Sequence, residues 1–110
     1  MGRFVKGDVV VVPFPYTNLR GEKRRPALVI ASAGDNDLLL AQISSRTLHD
    51  PFAIEILPDD FHSGGLRVVS NIRPNKLFTA EEDLIIYKAG ILHYEKMQDV
   101  VNTIVELISR

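Results

Sequence analysis

The sequence contains neither cysteine nor tryptophan. Without thiols there can be no disulfide framework, no zinc–thiolate site and no cysteine nucleophile. That usage fits a reducing compartment, and a cytoplasmic protein is expected. Aromatic residues make up only 7% of the chain, so any stacking surface for bases must rest on a few side chains. Long apolar runs are also lacking. "VVVVP" and "DLLLA" fall far short of the ~20 residues a membrane-spanning helix needs, and "MGRFVKGD" has no apolar stretch of the kind a signal peptide carries. No membrane partner is expected. At 110 residues, one domain spanning 1–110 is expected, long enough to bury a core without staples.

Neither sign of charge dominates, since the formal net charge is −1. Nucleic-acid binding therefore does not follow from composition and has to come from local distribution. That distribution is uneven. "LRGEKRRPALVI" gathers Arg20, Lys23, Arg24 and Arg25 just before a fully apolar run, 27–30. The acids cluster elsewhere, at Asp35/Asp37, Asp59/Asp60 and 81–83. A basic face is thus permitted.

Most of the chain reads as short strands divided by turn residues. Strands are expected at 8–14, 25–32, 38–44, 51–57 and 66–73, with a weak sixth at 89–92. In 51–57, Phe52, Ile54 and Ile56 alternate with Ala53 and Glu55, the pattern of a half-buried strand. "LPDDFHSGG" reads as a loop. Thr79 and Glu82 have capping-box spacing, which predicts a short helical turn near 80–84. The period then changes. Met97, Val100, Val101, Ile104, Leu107 and Ile108 recur every three or four residues, an amphipathic helix over 94–108. His93 is a poor N-cap by residue type. The expected fold is mainly β: a small, curled barrel closed by a C-terminal helix. The first two strands are joined by eleven residues, 14–24, where hairpins use two to five. Such a loop reads as a flap over a binding face.

Several side chains could carry chemistry. Pro26 biases Arg25 toward extended backbone, so a sheet would hold Arg25 at a strand's start while its planar, permanently charged fork projects. That fork suits a phosphate and suits a pentavalent phosphorane better; a surface arginine beside a loop is the plainer reading. In "ISSRT", Ser44 and Ser45 end the third strand beside Arg46. Their hydroxyls could donate to a phosphate, or merely satisfy loose backbone groups. His49 and His62 could exchange protons with RNA or be solvated loop residues, and His93 reads as a helix start. No histidine pair has metal-ligand spacing. "HSGGL" lacks the basic residue of a phosphate loop. Phe14 and Tyr16 are candidates for stacking on unpaired bases, Phe14 equally for the core.

Taken in series, "KGDVVVVPFPYTN", "KRRPALVIAS", "LLLAQISS", "SGGLRVVSNIRPNKLFT" and "KAGIL" plus a helix resemble the PemK/MazF toxin family in order and spacing. The resemblance implies an SH3-like β-barrel that dimerises and cuts single-stranded RNA without metal or other cofactor. The substrate's 2′-hydroxyl would be the nucleophile, leaving a 2′,3′-cyclic phosphate and a 5′-hydroxyl. A cognate antitoxin, partly disordered, would occupy the RNA groove. Carried onto this chain, Arg25 and Ser44 are the expected catalytic residues. Tyr16, Arg20, Glu22, Lys23, Arg24, Ser45, Arg46, His49, Asn71 and Arg73 are expected to contact RNA, with Glu22, Lys23 or His49 available for proton transfer. Two alternatives stand beside this reading. One is a gyrase poison of the CcdB group, against which the "VELISR" tail and the R-P arginine speak; the other is a non-catalytic RNA-binding barrel, whose binding would be salt-sensitive.

Overall fold

The computed structural model describes residues 3–15, 22–46 and 49–110. Among these residues are seven strands: β1 (Asp8–Pro15), β2 (Glu22–Ser32), β3 (Asp37–Ser44), β4 (Ile54–Ile56), β5 (Phe61–Gly64), β6 (Ser70–Glu81) and β7 (Tyr87–Leu92). One helix, α1 (Tyr94–Ile108), follows. The strands form one antiparallel sheet in the order β4-β6-β3-β2-β1-β7-β5. Curled on itself, this is the mainly-β half-barrel with a terminal helix that the periodicity predicts.

Alternation assigns each side chain of the central strands to one of two apolar layers. Val9, Leu28, Ile30, Ala41, Ile43 and Ile72 pack with Met97, Val100 and Ile104 beneath α1. Val10, Val12, Ala27, Val29, Leu38 and Leu40 point the other way, into the curl, where Phe4, Phe14, Phe78 and Ile85 cover them. With both faces buried, β1 and β2 have no polar side to show, which is why "VVVV" and "ALVI" run without interruption. Phe14 belongs to this second layer, its ring edge-on to Phe78 at 5.1 Å. Phe14 is half-buried, packed against the core and lining a groove with Phe78.

Four expectations for the strands need correcting. The strand expected at 51–57 is cut to Ile54–Ile56, because a turn at 51–52, closed by the Ala53 N–H on the Asp50 carbonyl, takes its first residues. The loop "LPDDFHSGG" contains β5, a short edge strand held against β7. There Gly64 (φ +68°) and Gly90 let the two main chains close up: a Cβ on Gly90 would lie 2.7 Å from the Ser63 carbonyl, and one on Gly64 would strike the Ala89 carbonyl. The expected strand 66–73 begins only at Ser70, leaving 65–69 as a connection, and it runs on past Pro74 to Glu81. Pro74 is tolerated because the register jumps there, from Gln42↔Arg73 to Ala41↔Leu77. A proline without an N–H sits well in such an irregularity, and the bend it makes helps the sheet curl. Strand β2 also starts earlier than expected and pairs with β1 out to Pro15↔Glu22. Lys23, Arg24 and Arg25 are therefore strand residues, with Arg25 the fourth of β2, and the connection shortens to 16–21.

The turn near 80–84 is a 3₁₀ turn, Glu82–Leu84, but no capping box forms, since its N-cap is Glu81 and makes no side-chain bond. Glu82 instead turns inward, 8% exposed, and accepts the Arg3 N–H at 2.9 Å. Helix α1 has the expected bounds, and His93 caps it without a side-chain hydrogen bond. Among the described residues no helix is long and apolar enough to cross a membrane.

Candidate functional site

Strands β2 and β3 pair with Ala27 opposite Gln42, and β3 pairs with β6 through Ser44↔Asn71. Carried two residues outward, the first register sets Arg25 across from Ser44. Arg25, Ser44 and Asn71 thus lie in a row across three neighbouring strands, and a cleft of about 230 Å³ opens at that end of the sheet. Lys23, Arg24 and half-buried Arg25 form its β2 wall. Ser44 and Ser45 contribute hydroxyls from the end of β3. Arg67 and Val68, from the connection that precedes β6, form the far wall together with Ser70.

The electrostatics of the cleft are one-sided. Four cations and three hydroxyls line it, and among its described lining residues there is no carboxylate. With low-dielectric walls on both sides, such a cleft focuses positive potential on whatever enters. The two better-defined hydroxyls are committed differently. Ser44 Oγ accepts the Arg46 N–H at 3.2 Å, a bond that leaves its own proton to donate. Ser70, 2% exposed, donates its proton to the Val68 carbonyl at 3.0 Å, so it fastens the 65–69 connection.

Of the residues expected to act, Lys23, Arg24, Arg25, Ser44 and Ser45 come together in the cleft. Arg46 and Asn71 border it: Asn71 Nδ2 donates to the Arg46 carbonyl at 3.4 Å and holds the turn after β3. Arg73 and His49 do not line it. Arg73 Nε donates to Asp50 Oδ2 at 3.1 Å. Asp50, its side chain only 5% exposed, also accepts the Phe52 N–H at 2.9 Å and Asn75 Nδ2 at 3.4 Å. Burial by itself would raise the Asp50 pKa, but the Phe52 N–H and the Arg73 guanidinium outweigh it and hold the carboxyl below its ordinary value. Arg73 thus acts as a half-buried strut, tying the 50–53 turn to β6. Tyr16, Arg20 and the Glu22 side chain lie outside the described residues.

Sequence reasoning missed Arg67 and Ser70 in the cleft, because 66–73 reads as one strand. The Gly64–Gly65 pair was the available signal that the chain turns there before β6 starts. Among the described residues no three His, Cys, Asp or Glu side chains converge as a metal site would require. His62 and His93 meet edge-to-face at 5.6 Å away from the cleft lining.

The model of the PemK-like, MazF-like toxins of type II toxin-antitoxin systems matches residues 5–108. The chain belongs to that family. Solved structures share its fold at low identity. A MazE–MazF complex from Deinococcus radiodurans superposes with a TM-score of 0.78 at 17% identity, covering 96% of both chains. An endoribonuclease in complex with its cognate antitoxin, from a mycobacterial species, gives 0.76 at 12% identity over 96% of this chain and 95% of that one. A further mycobacterial endoribonuclease gives 0.73 at 12%, over 99% and 94%. None of the curated proteins compared matches by sequence. The likeness to PemK/MazF toxins thus spans nearly the whole chain, including every element that lines the cleft.

Proposed function

We propose that this family member is an endoribonuclease toxin that cuts single-stranded RNA, with Arg25 and Ser44 as its catalytic residues. The observation that carries the reading is a cationic cleft with no carboxylate among its described lining residues, to which Arg25 and Ser44 contribute from adjacent strands. RNA brings its own nucleophile. The 2′-oxygen attacks the adjacent phosphorus, the bond to the 5′-oxygen breaks, and a 2′,3′-cyclic phosphate and a 5′-hydroxyl result. The protein's task is to align the three atoms and to steady the added charge on phosphorus. Arg25 supplies a fixed guanidinium and Ser44 a hydroxyl proton. Proton transfer to the leaving 5′-oxygen and from the 2′-hydroxyl falls to Glu22, Lys23 or His49. Lys23, Arg24, Ser45, Arg46 and Asn71 engage the RNA backbone around the cut, and Tyr16, Arg20 and His49 are assigned to RNA contact as well.

The protein works in the cytoplasm, where its substrate is, as a homodimer whose two clefts join into one groove. An acidic, flexible antitoxin that orders on binding silences it by filling that groove. The test is incubation of the purified, antitoxin-free protein with single-stranded RNA in excess EDTA, with mapping of the ends. Cleavage leaving cyclic-phosphate and 5′-hydroxyl ends is expected, reduced at least ~10²-fold in Arg25→Ala with its circular dichroism unchanged. Intact RNA alongside folded wild-type protein would sink the reading.

A further inference from the structure

Arg67 sits on a connection pinned at both ends. Behind it, the close approach of Gly64 and Gly90 and the Gly65 N–H bond to the Ala89 carbonyl (3.1 Å) fix where the chain leaves β5. Leu66 packs against the core beneath α1. Ahead of it, the buried Ser70 hydroxyl holds the Val68 carbonyl. The backbone on either side of Arg67 is thus tied down while its side chain is exposed and lines the cleft. Among the described residues no carboxylate lies within ion-pair distance of it. A cation that only solubilised the surface would need neither the two anchors nor a place in a cleft whose described lining holds no carboxylate.

Arg25 and Arg67 enter that cleft from different walls. Arg25 stands on β2 and Arg67 on the connection that leads into β6, with β3 paired between β2 and β6. The Ser44 and Ser45 hydroxyls line the same cleft. Two guanidiniums carried on different walls suit successive phosphates of one strand better than a single shared one. We propose that Arg67 is a substrate-positioning cation that grips the phosphate next to the one cleaved, drawing the RNA taut across Arg25 and Ser44. The proposal rests on the ribonuclease reading. It assigns Arg67 to binding before reaction, and leaves the charge that develops on phosphorus to Arg25.

The experiment uses a short 2′-O-methyl RNA, which has no free nucleophile, and measures binding by fluorescence anisotropy over a range of NaCl concentrations. Arg67→Gln is expected to weaken binding several-fold and to flatten the plot of log affinity against log salt by about 0.7, the value of one single-strand phosphate contact. Arg67→Lys should keep the slope. Lys76→Gln, on exposed β6 outside the cleft lining, should match wild type. On cleavable RNA the Arg67→Gln defect should fall on KM and not on kcat. An Arg67→Gln slope equal to wild type, with wild type binding normally, overturns this proposal and leaves the ribonuclease reading intact. A folded wild type that neither binds this probe nor cuts RNA overturns both.

Discussion

Asp50 shows how a residue's partners decide its work. Its carboxyl pKa is held below the ordinary value by the Phe52 N–H and Arg73 despite burial. A group whose pKa falls on folding stabilises the native state fully above its unfolded pKa, and that contribution drains away as pH falls through the lowered folded value. Stability should therefore drop on the acid side of the ordinary aspartate range. Asp50→Asn should lower the denaturation midpoint at pH 7 and flatten the acid limb, as urea melts between pH 2 and pH 7 would reveal. A variant whose acid limb matched wild type would deny Asp50 this role. The same residue explains a misreading. Arg73 looks, as a string, like another cation of the basic cluster, and nothing near it in sequence announces a buried carboxylate twenty-three positions earlier. Arg25 was legible because Pro26 and the apolar run fix its backbone; Arg73 was not, because its fate is decided by a tertiary contact.

Elements were readable where their pattern is local. Helix α1 has the bounds its three- and four-residue spacing predicts, and β1, β2 and β3 carry enough apolar residues to declare themselves. Strand β5 failed for the opposite reason. Four residues ending in glycine have no strand signal of their own and exist because β7 offers an edge to pair with. Pro74 misled in a similar way: it reads as a stop, yet β6 passes through it at a register jump. The helix also invites a direct test. His93 has the extended backbone of an N-cap (φ −61°, ψ 150°) but makes no capping bond. His93→Ser should satisfy one orphan N–H and stabilise the fold by about 0.5–1 kcal/mol, read as a rise in the thermal midpoint. No rise would mean that water already meets those groups, or that the lost edge-to-face contact with His62 offsets the gain.

At the scale of the molecule, a nearly neutral protein sets four of its 13 Lys and Arg side chains in one cleft, and composition conceals this. The basic cluster was visible in sequence; its opposite wall was not, since Arg67 reaches it through a fold. The sheet ends on two very short strands, β4 with three residues and β5 with four. Such edges are poor templates for strand addition, so a second copy should dock through side-chain surfaces and close after two. Sedimentation at micromolar concentration is expected to give twice the 12.3 kDa chain mass, and a mass that stayed at one chain would remove the shared groove from the reading. The tight crossing of β5 and β7 has its own consequence. Because the two glycines act as a fixed hinge post, residues inserted after Gly65 would swing Arg67 outward without disturbing the strands. If Arg67 grips RNA as proposed, descendants of this chain could thus retune how tightly they hold a transcript by lengthening one loop, while Arg25 and Ser44 stay where they are.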